Sequence, residues 1–251
     1  CSKLIDSGPA DPELLASLYF RRGLAYEKLR DLKPALSDFT KAIELEAGRV
    51  MIFVSRARVH FDLGDLDGSL SDVQDALKID DREVAAYEVR VHIRLAKDDA
   101  VGAIEDLRKV LEISPDREGS KQFLARLVKT ELERLSLLNR QFIEKFQAGS
   151  FFEALPMAER IAREVVTVAG ETHPHSASAL RHLGMTQLQL GHFAEAEKTL
   201  ERTLRIRKAL FGEDDLQVAS VLDALGGLYS DTGRLEQAEQ IYRQALAIGE
   251  R

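Results

Sequence analysis

Two stretches of this chain repeat each other 42 residues apart: GHFAEAEKTLERTLRI begins at Gly191 and GRLEQAEQIYRQALAI at Gly233. Gly191 aligns with Gly233, Ala196 with Ala238, Glu197 with Glu239, Leu204 with Leu246 and Ile206 with Ile248. A fixed period of this size is the mark of one supersecondary unit copied along a chain, each copy burying its apolar face against the next. The period reaches back through Gly149 and Ala154, both 42 residues before their counterparts. The first half keeps a different period, 34, which relates Asp38 to Asp72 and Asp106, Leu45 to Ile79 and Ile113, and Ala35 to Ser69 and Ala103.

Inside each unit the apolar residues follow helical spacing twice, with a short polar turn between. Leu36, Phe39, Ala42 and Ile43 recur at three- and four-residue steps and make one stripe of a second helix. Small residues occupy the places where paired helices must approach to roughly 8–10 Å. These are Gly23, Ala57, Gly184 and Gly226 in first helices and Ala35, Ala103, Ala196 and Ala238 in second ones. With 45% hydrophobic and 31% charged residues the chain can bury a core, and Leu, Ala, Glu and Arg dominate, as in helical proteins. The eight additional residues of the longer unit are expected as two more turns, ~12 Å, on its second helix. EAEKTLERTLRIRKALFG is long enough for this and stops at Gly212. Residues 118–134, EGSKQFLARLVKTELER, break both periods; Phe123, Leu124, Leu127, Val128, Leu132, Leu135 and Leu138 form one stripe that predicts a joining helix running on into the next unit.

The spacing of Tyr19, Gly23, Tyr26, Ala35, Phe39 and Ala42 resembles the tetratricopeptide-repeat (TPR) pattern. The resemblance implies an all-α fold, a right-handed α-solenoid of antiparallel helix pairs (the TPR superhelix), and the opening of the chain is similar to bacterial proteins of this kind. With Ala16 as the first repeat position, three 34-residue units fill 16–117, and Pro115 stands at the closing proline. Residues 1–15 are then the remnant of an upstream helix and a linker, 118–134 the joining helix, and 135–251 three 42-residue units. The latter, beginning near Leu135, Ala177 and Ala219, resemble kinesin-light-chain repeats; GETHPHSA matches their Gly-x-x-His-Pro linker, and FGEDDLQVA does so imperfectly.

Several kinds of chemistry find no support. A net charge of −7 and a pI near 5.5 argue against nucleic acid as partner. The basic run RTLRIRK (Arg202 to Lys208) reads as the solvated face of a helix. No apolar run is long enough to span a bilayer. The lone Cys1 excludes an internal disulfide and a cysteine metal site; Cys1-Ser2 fits either the lipidated start of an exported protein or the end of a helix cut upstream. Cytoplasm and bacterial periplasm both accommodate such a chain. There is no phosphate-binding glycine loop, nucleophile elbow or HExxH. His173-Pro174-His175 suits a linker turn rather than a metal, and Asp98-Asp99 and Asp214-Asp215 suit helix N-termini. No catalytic residue, metal or cofactor is expected.

What such an array offers is a surface. In the TPR pattern, positions 2, 5, 9 and 12 of each first helix line the concave groove, and the matching candidates here are Phe20, Leu24, Met51, Val54, Arg58, Phe61, Glu88, His92, Arg181, Met185 and Asp223. Arg58, flanked by Met51 and Phe61, is the best anchor, since Arg and aromatics dominate binding hot spots. Phe20 and Leu24 serve either the groove or the packing of an upstream helix. The chaperone-binding TPR class grips a terminal carboxylate with Lys and Asn, whereas the corresponding positions hold Phe20, Leu24 and Ser55. The paired Asn of kinesin-light-chain repeats are Arg181-His182 and Asp223-Ala224 here. The expected function is a non-catalytic scaffold binding a partner peptide or helix in the groove. Alternatives are a regulatory or sensor region of a larger effector, and a homo-oligomer stacked through open solenoid ends.

Overall fold

Wherever the sequence sets a polar turn between two apolar stripes, one helix ends and another begins. The structure, a computed structural model, describes residue 5, residues 11–46 and residues 48–250; the readings of Cys1 fall outside them. The described residues form twelve helices: α1 Pro12–Lys28, α2 Leu32–Leu45, α3 Val50–Asp62, α4 Leu66–Ile79, α5 Val84–Ala96, α6 Ala100–Ile113, α7 Glu118–Gln147, α8 Phe151–Ala169, α9 Pro174–Gln189, α10 Phe193–Phe211, α11 Leu216–Asp231 and α12 Leu235–Gly249. They belong to the all-α solenoid class of stacked helix pairs. The chain divides into two compact units, residues 1–125 and 126–251, the division falling inside α7.

Local chemistry starts and stops the helices at repeating places. The Asp65 and Asp99 carboxylates each accept from the backbone N–H three residues on, at 2.9 Å, and so cap α4 and α6. Asp215 caps α11 in the same way, accepting from the Gln217 N–H at 2.7 Å. The turns inside the first unit's hairpins place Arg30, Gly64 and Asp98, 34 residues apart, in the left-handed region at φ 61°, 80° and 58°. In the second unit Gly149, Gly191 and Gly233 hold that position at φ 74–75°. Glycine suits it because a Cβ is strained there.

Within the first unit α1/α2, α3/α4 and α5/α6 pair as hairpins. Ala35, Phe39, Ala42, Ile52 and Val59 form one buried cluster, and Phe53, Val54, Ala57, Val73, Ala76, Ala86, Val89 and Ile93 the next. In the second unit Ala196, Leu200, Val221, Ala224, Leu225, Leu228, Tyr229 and Ala238 pack together. The small residues do sit at close approaches. A Cβ added at Gly23 would stand 2.6 Å from the Phe39 ring, one at Gly226 2.6 Å from the Tyr242 ring.

Each hairpin of the first unit carries the same cross-tie. Arg22, Arg56 and Arg90 fork onto Asp38, Asp72 and Asp106, sixteen residues on, at 2.6–2.9 Å through Nε and Nη2. The three carboxylates are 2–3% exposed. Each guanidinium also stands over an aromatic ring one turn earlier, Tyr19, Phe53 or Tyr87, at 5.1–5.9 Å from the centroid. A buried carboxylate requires such a bidentate partner, and the ring face adds a cation–π contact.

The longer period is distributed differently from the expectation. The second helices lengthen from 14 residues in α2, α4 and α6 to 19 in α8 and α10, and the first helices from 13 in α3 and α5 to 16 in α9 and α11. The eight residues are therefore shared five to three rather than all given to the second helix. In an antiparallel hairpin both arms must grow together, or the longer one projects apolar surface with nothing to bury it. Residues 118–134 run without a break into residues 135–147 as the single helix α7.

Candidate functional site

The first helices of each unit place the candidate residues on two separate faces. In the first unit three rings stand in a row on three helices: Phe61 on α3, His92 on α5 and Phe123 on α7. Neighbouring ring centroids are 6.2 and 6.4 Å apart. His92 is exposed and the two phenylalanines are half-buried. Met51, 44% exposed, adds apolar surface on α3.

The charges near this row are paired. Arg58 Nε lies 3.2 Å from Glu27 Oε1 on α1, and Glu88 Oε1 lies 2.6 Å from Arg117 Nη2. Burial pushes the Glu27 carboxyl up from its ordinary range, against the pull of Arg58. Arg58 thus answers an internal carboxylate and keeps close to half its side chain in solvent.

One first-unit candidate turns out differently from the groove pattern. Val54 is fully buried in the core between α3, α4 and α5 and presents no surface, because residues of α4 and α5 pack over that part of α3. Phe20 and Leu24 are half-buried against the Ala35–Phe39–Ala42 cluster, with the Phe20 and Phe39 rings 5.9 Å apart. Phe123 is expected from the sequence only as part of the apolar stripe of the joining helix; its place in the row depends on how α7 follows α6, which no spacing encodes.

In the second unit α9 contributes Arg181, His182 and Met185, and α11 contributes Asp223. The structure brings Arg181 and His182 together with Arg207 of α10, while Met185 packs half-buried against the Ala196–Leu200 cluster and Asp223 stays exposed. His182 Nδ1 lies 3.1 Å from Asn139 Oδ1 on α7, and its ring lies 5.2 Å from Phe142. Burial, helped by the charges of Arg181 and Arg207, pushes the His182 imidazole down to about 4. It is therefore neutral near pH 7.

Arg207 corrects the reading of RTLRIRK as a solvated face, since it is only 6% exposed. Its Nη1 donates to the Gln217 carbonyl at 2.6 Å and to Ser220 Oγ at 2.7 Å. The amphipathic stripe of α10 continues through Ile206, 5% exposed, and carries Arg207 in with it.

His173 is a capping residue: its Nδ1 accepts from the His175 backbone N–H at 3.2 Å, at the start of α9. Among the described residues no group of three or more His, Cys, Asp or Glu is placed to hold a metal ion. No described helix is long and apolar enough to cross a membrane.

Comparison with known proteins gives the setting for these faces. Tetratricopeptide-repeat family models match residues 16–48, 142–209 and 193–251. No curated protein matches the chain. Among solved structures, it is similar to the first TPR of Spaghetti (RPAP3) bound to an HSP90 peptide, at 22% identity and a TM-score of 0.46, covering 48% of this chain and 95% of that one. It is similar to the Arabidopsis OM64 TPR domain at 24% identity and a TM-score of 0.46, over 47% of this chain and 98% of that one. Similarity to the MamA protein extends over 94% of this chain and 92% of that one, at 13% identity and a TM-score of 0.37. Family models that match both halves of a chain so evidently written in repeats settle its kinship: it belongs to the tetratricopeptide-repeat family.

Proposed function

We propose that the chain is a non-catalytic protein-interaction scaffold that binds an extended segment of a partner protein across the first-helix face of its N-terminal unit. The observation that carries this reading is the row Phe61–His92–Phe123. Its centroid spacings of 6.2 and 6.4 Å are close to the ~6.6 Å between side chains on one face of an extended peptide. Successive apolar side chains of such a segment rest against successive rings, and aromatic surface of this kind contributes most where it excludes water. Arg58, already held by Glu27, supplies a cation at its edge without the entropy cost of fixing a free side chain.

Peptide-display selection on the whole chain tests this reading. Peptides with apolar residues at alternate positions are expected to enrich, and binding is expected to fall about tenfold or more in a Phe61→Ala, His92→Ala variant of unchanged helicity. Undiminished binding of the same peptides by that variant contradicts it.

A further inference from the structure

Arg181 and Arg207 differ from the other inward-turned arginines of this chain. Arg22, Arg56 and Arg90 each present the Nε–Nη2 edge to a carboxylate, two parallel bonds to two oxygens. That edge is how this protein holds an acid. In Arg207 the opposite nitrogen, Nη1, is the one engaged, and by neutral acceptors, the Gln217 carbonyl and Ser220 Oγ. Its Nε is buried and lacks any acceptor, although the residue is 6% exposed. Arg181 Nε is likewise buried without an acceptor.

The second unit supplies Arg207 with only a distant counter-charge. Among the described residues no carboxylate forms a salt bridge with either arginine. Asp215 acts on Arg207 from beyond ion-pair distance, and its side chain is occupied capping α11. Arg181 and Arg207 are close enough to oppose each other's charge, and the neutral His182 beside them offers no compensation. Arg207, 6% exposed, and the covered Nε of the half-buried Arg181 are costly to keep without an anion, and an oxyanion would satisfy both.

We propose that Arg181 and Arg207 form a receptor, built from α9 and α10 of the second unit, for the carboxylate of an aspartate or glutamate side chain on a partner peptide. The carboxylate takes the Nε–Nη2 edge that each arginine leaves unused, with Ser220 holding Arg207 in place from behind. Because the whole chain carries a net charge of −7, its long-range field does not gather acidic ligands, and discrimination comes from the fork at contact. The inference rests on the peptide-scaffold reading above, but the anion receptor can be detected separately.

The probe is a labelled, acetylated and C-amidated peptide of alternating Glu and Ala. Its Gln/Ala counterpart is the control, made both amidated and with a free C-terminal carboxylate. The readouts on the full chain are the arginine Nε–Hε signals in nitrogen-15 spectra and the Kd. The Glu/Ala peptide is expected to shift the Arg181 and Arg207 signals and to bind about tenfold more tightly than amidated Gln/Ala. Arg181→Gln and Arg181→Lys, with helicity unchanged, are expected to remove that preference, the second because ammonium lacks the fork. Absence of Hε shifts with the Glu/Ala peptide overturns the receptor, whatever display selection returns. So does an equal Kd for the Glu and Gln peptides, or a shift caused only by the free C-terminal carboxylate. Hε shifts together with a failed display selection support the receptor and overturn the peptide-scaffold reading instead.

Discussion

A guanidinium is stable inside this protein according to what it meets, and the chain shows both solutions. Arg56 forks onto Asp72, a carboxylate 2% exposed, and Thr40 Oγ accepts from it as well at 3.3 Å. Removing the arginine alone leaves a buried anion, so Arg56→Met is expected to lower the unfolding free energy by about 3 kcal/mol in urea titration. Adding Asp72→Leu should restore most of that loss; an additive second loss would contradict the clamp. Half of the clamp was legible beforehand. The 34-residue spacing of Asp38, Asp72 and Asp106 is plain in the sequence, but Arg22, Arg56 and Arg90 sit among other arginines, and the pairing across sixteen residues exists only once the hairpin closes. His182 makes a second case. Its imidazole is lowered to about 4 by burial, then by Arg181 and Arg207, against an ordinary value of 6.5. The unfolded chain therefore binds the proton first, and neutral His182 contributes stability that is whole above pH 6.5 and lost as pH falls toward 4. The loss amounts to at most about 3 kcal/mol. His182→Gln should flatten that part of the stability–pH curve relative to wild type; superimposable slopes between pH 4 and 6.5 would contradict the burial described.

At the scale of the element, the turns and the close crossings decide whether a hairpin forms. Gly64 fills the left-handed position of its turn, while Arg30 and Asp98 are strained at the same place. Arg30→Gly is expected to raise the unfolding free energy by about 0.5–1 kcal/mol, the relief of the Cβ clash exceeding the added entropy of glycine. The exposed Arg30–Asp62 pair that it removes contributes little. At the opposite extreme, Gly226→Ala drives a methyl to 2.6 Å from the Tyr242 ring between α11 and α12 and should cost about 1–3 kcal/mol. Thermal unfolding of both variants checks the pair, and a shift of the same sign in each would contradict this account of the turn and the crossing. Gly226 was legible because small residues recur at the repeat period; the left-handed turn at Arg30 and Asp98, which hold large side chains, was not. The distribution of the eight extra residues was not, since sequence period counts residues per unit and says nothing about which arm of the hairpin receives them.

For the whole molecule, repetition reports the fold and difference reports the function. The second helices resemble one another because each buries the same stripe, as Ala196 and Ala238 do, 0% and 4% exposed. The first helices diverge: Phe61 and His92 on the N-terminal unit, Arg181 and His182 on the C-terminal one. Position in the repeat picks out Phe61, His92 and Arg181, of which His92 is exposed and the other two are half-buried. It failed for Val54, which the neighbouring hairpin covers, and it could not find Arg207, whose second-helix position reads as solvent. Partners are expected to engage the first-helix face rather than the second-helix face. The most direct measurement places a photo-crosslinking phenylalanine derivative at His92 on α5 and, separately, at the exposed Gln74 on α4, and compares the adducts formed in native lysate. A discrete partner adduct is expected from position 92 and none from position 74; an adduct from position 74 with none from position 92 overturns the first-helix assignment.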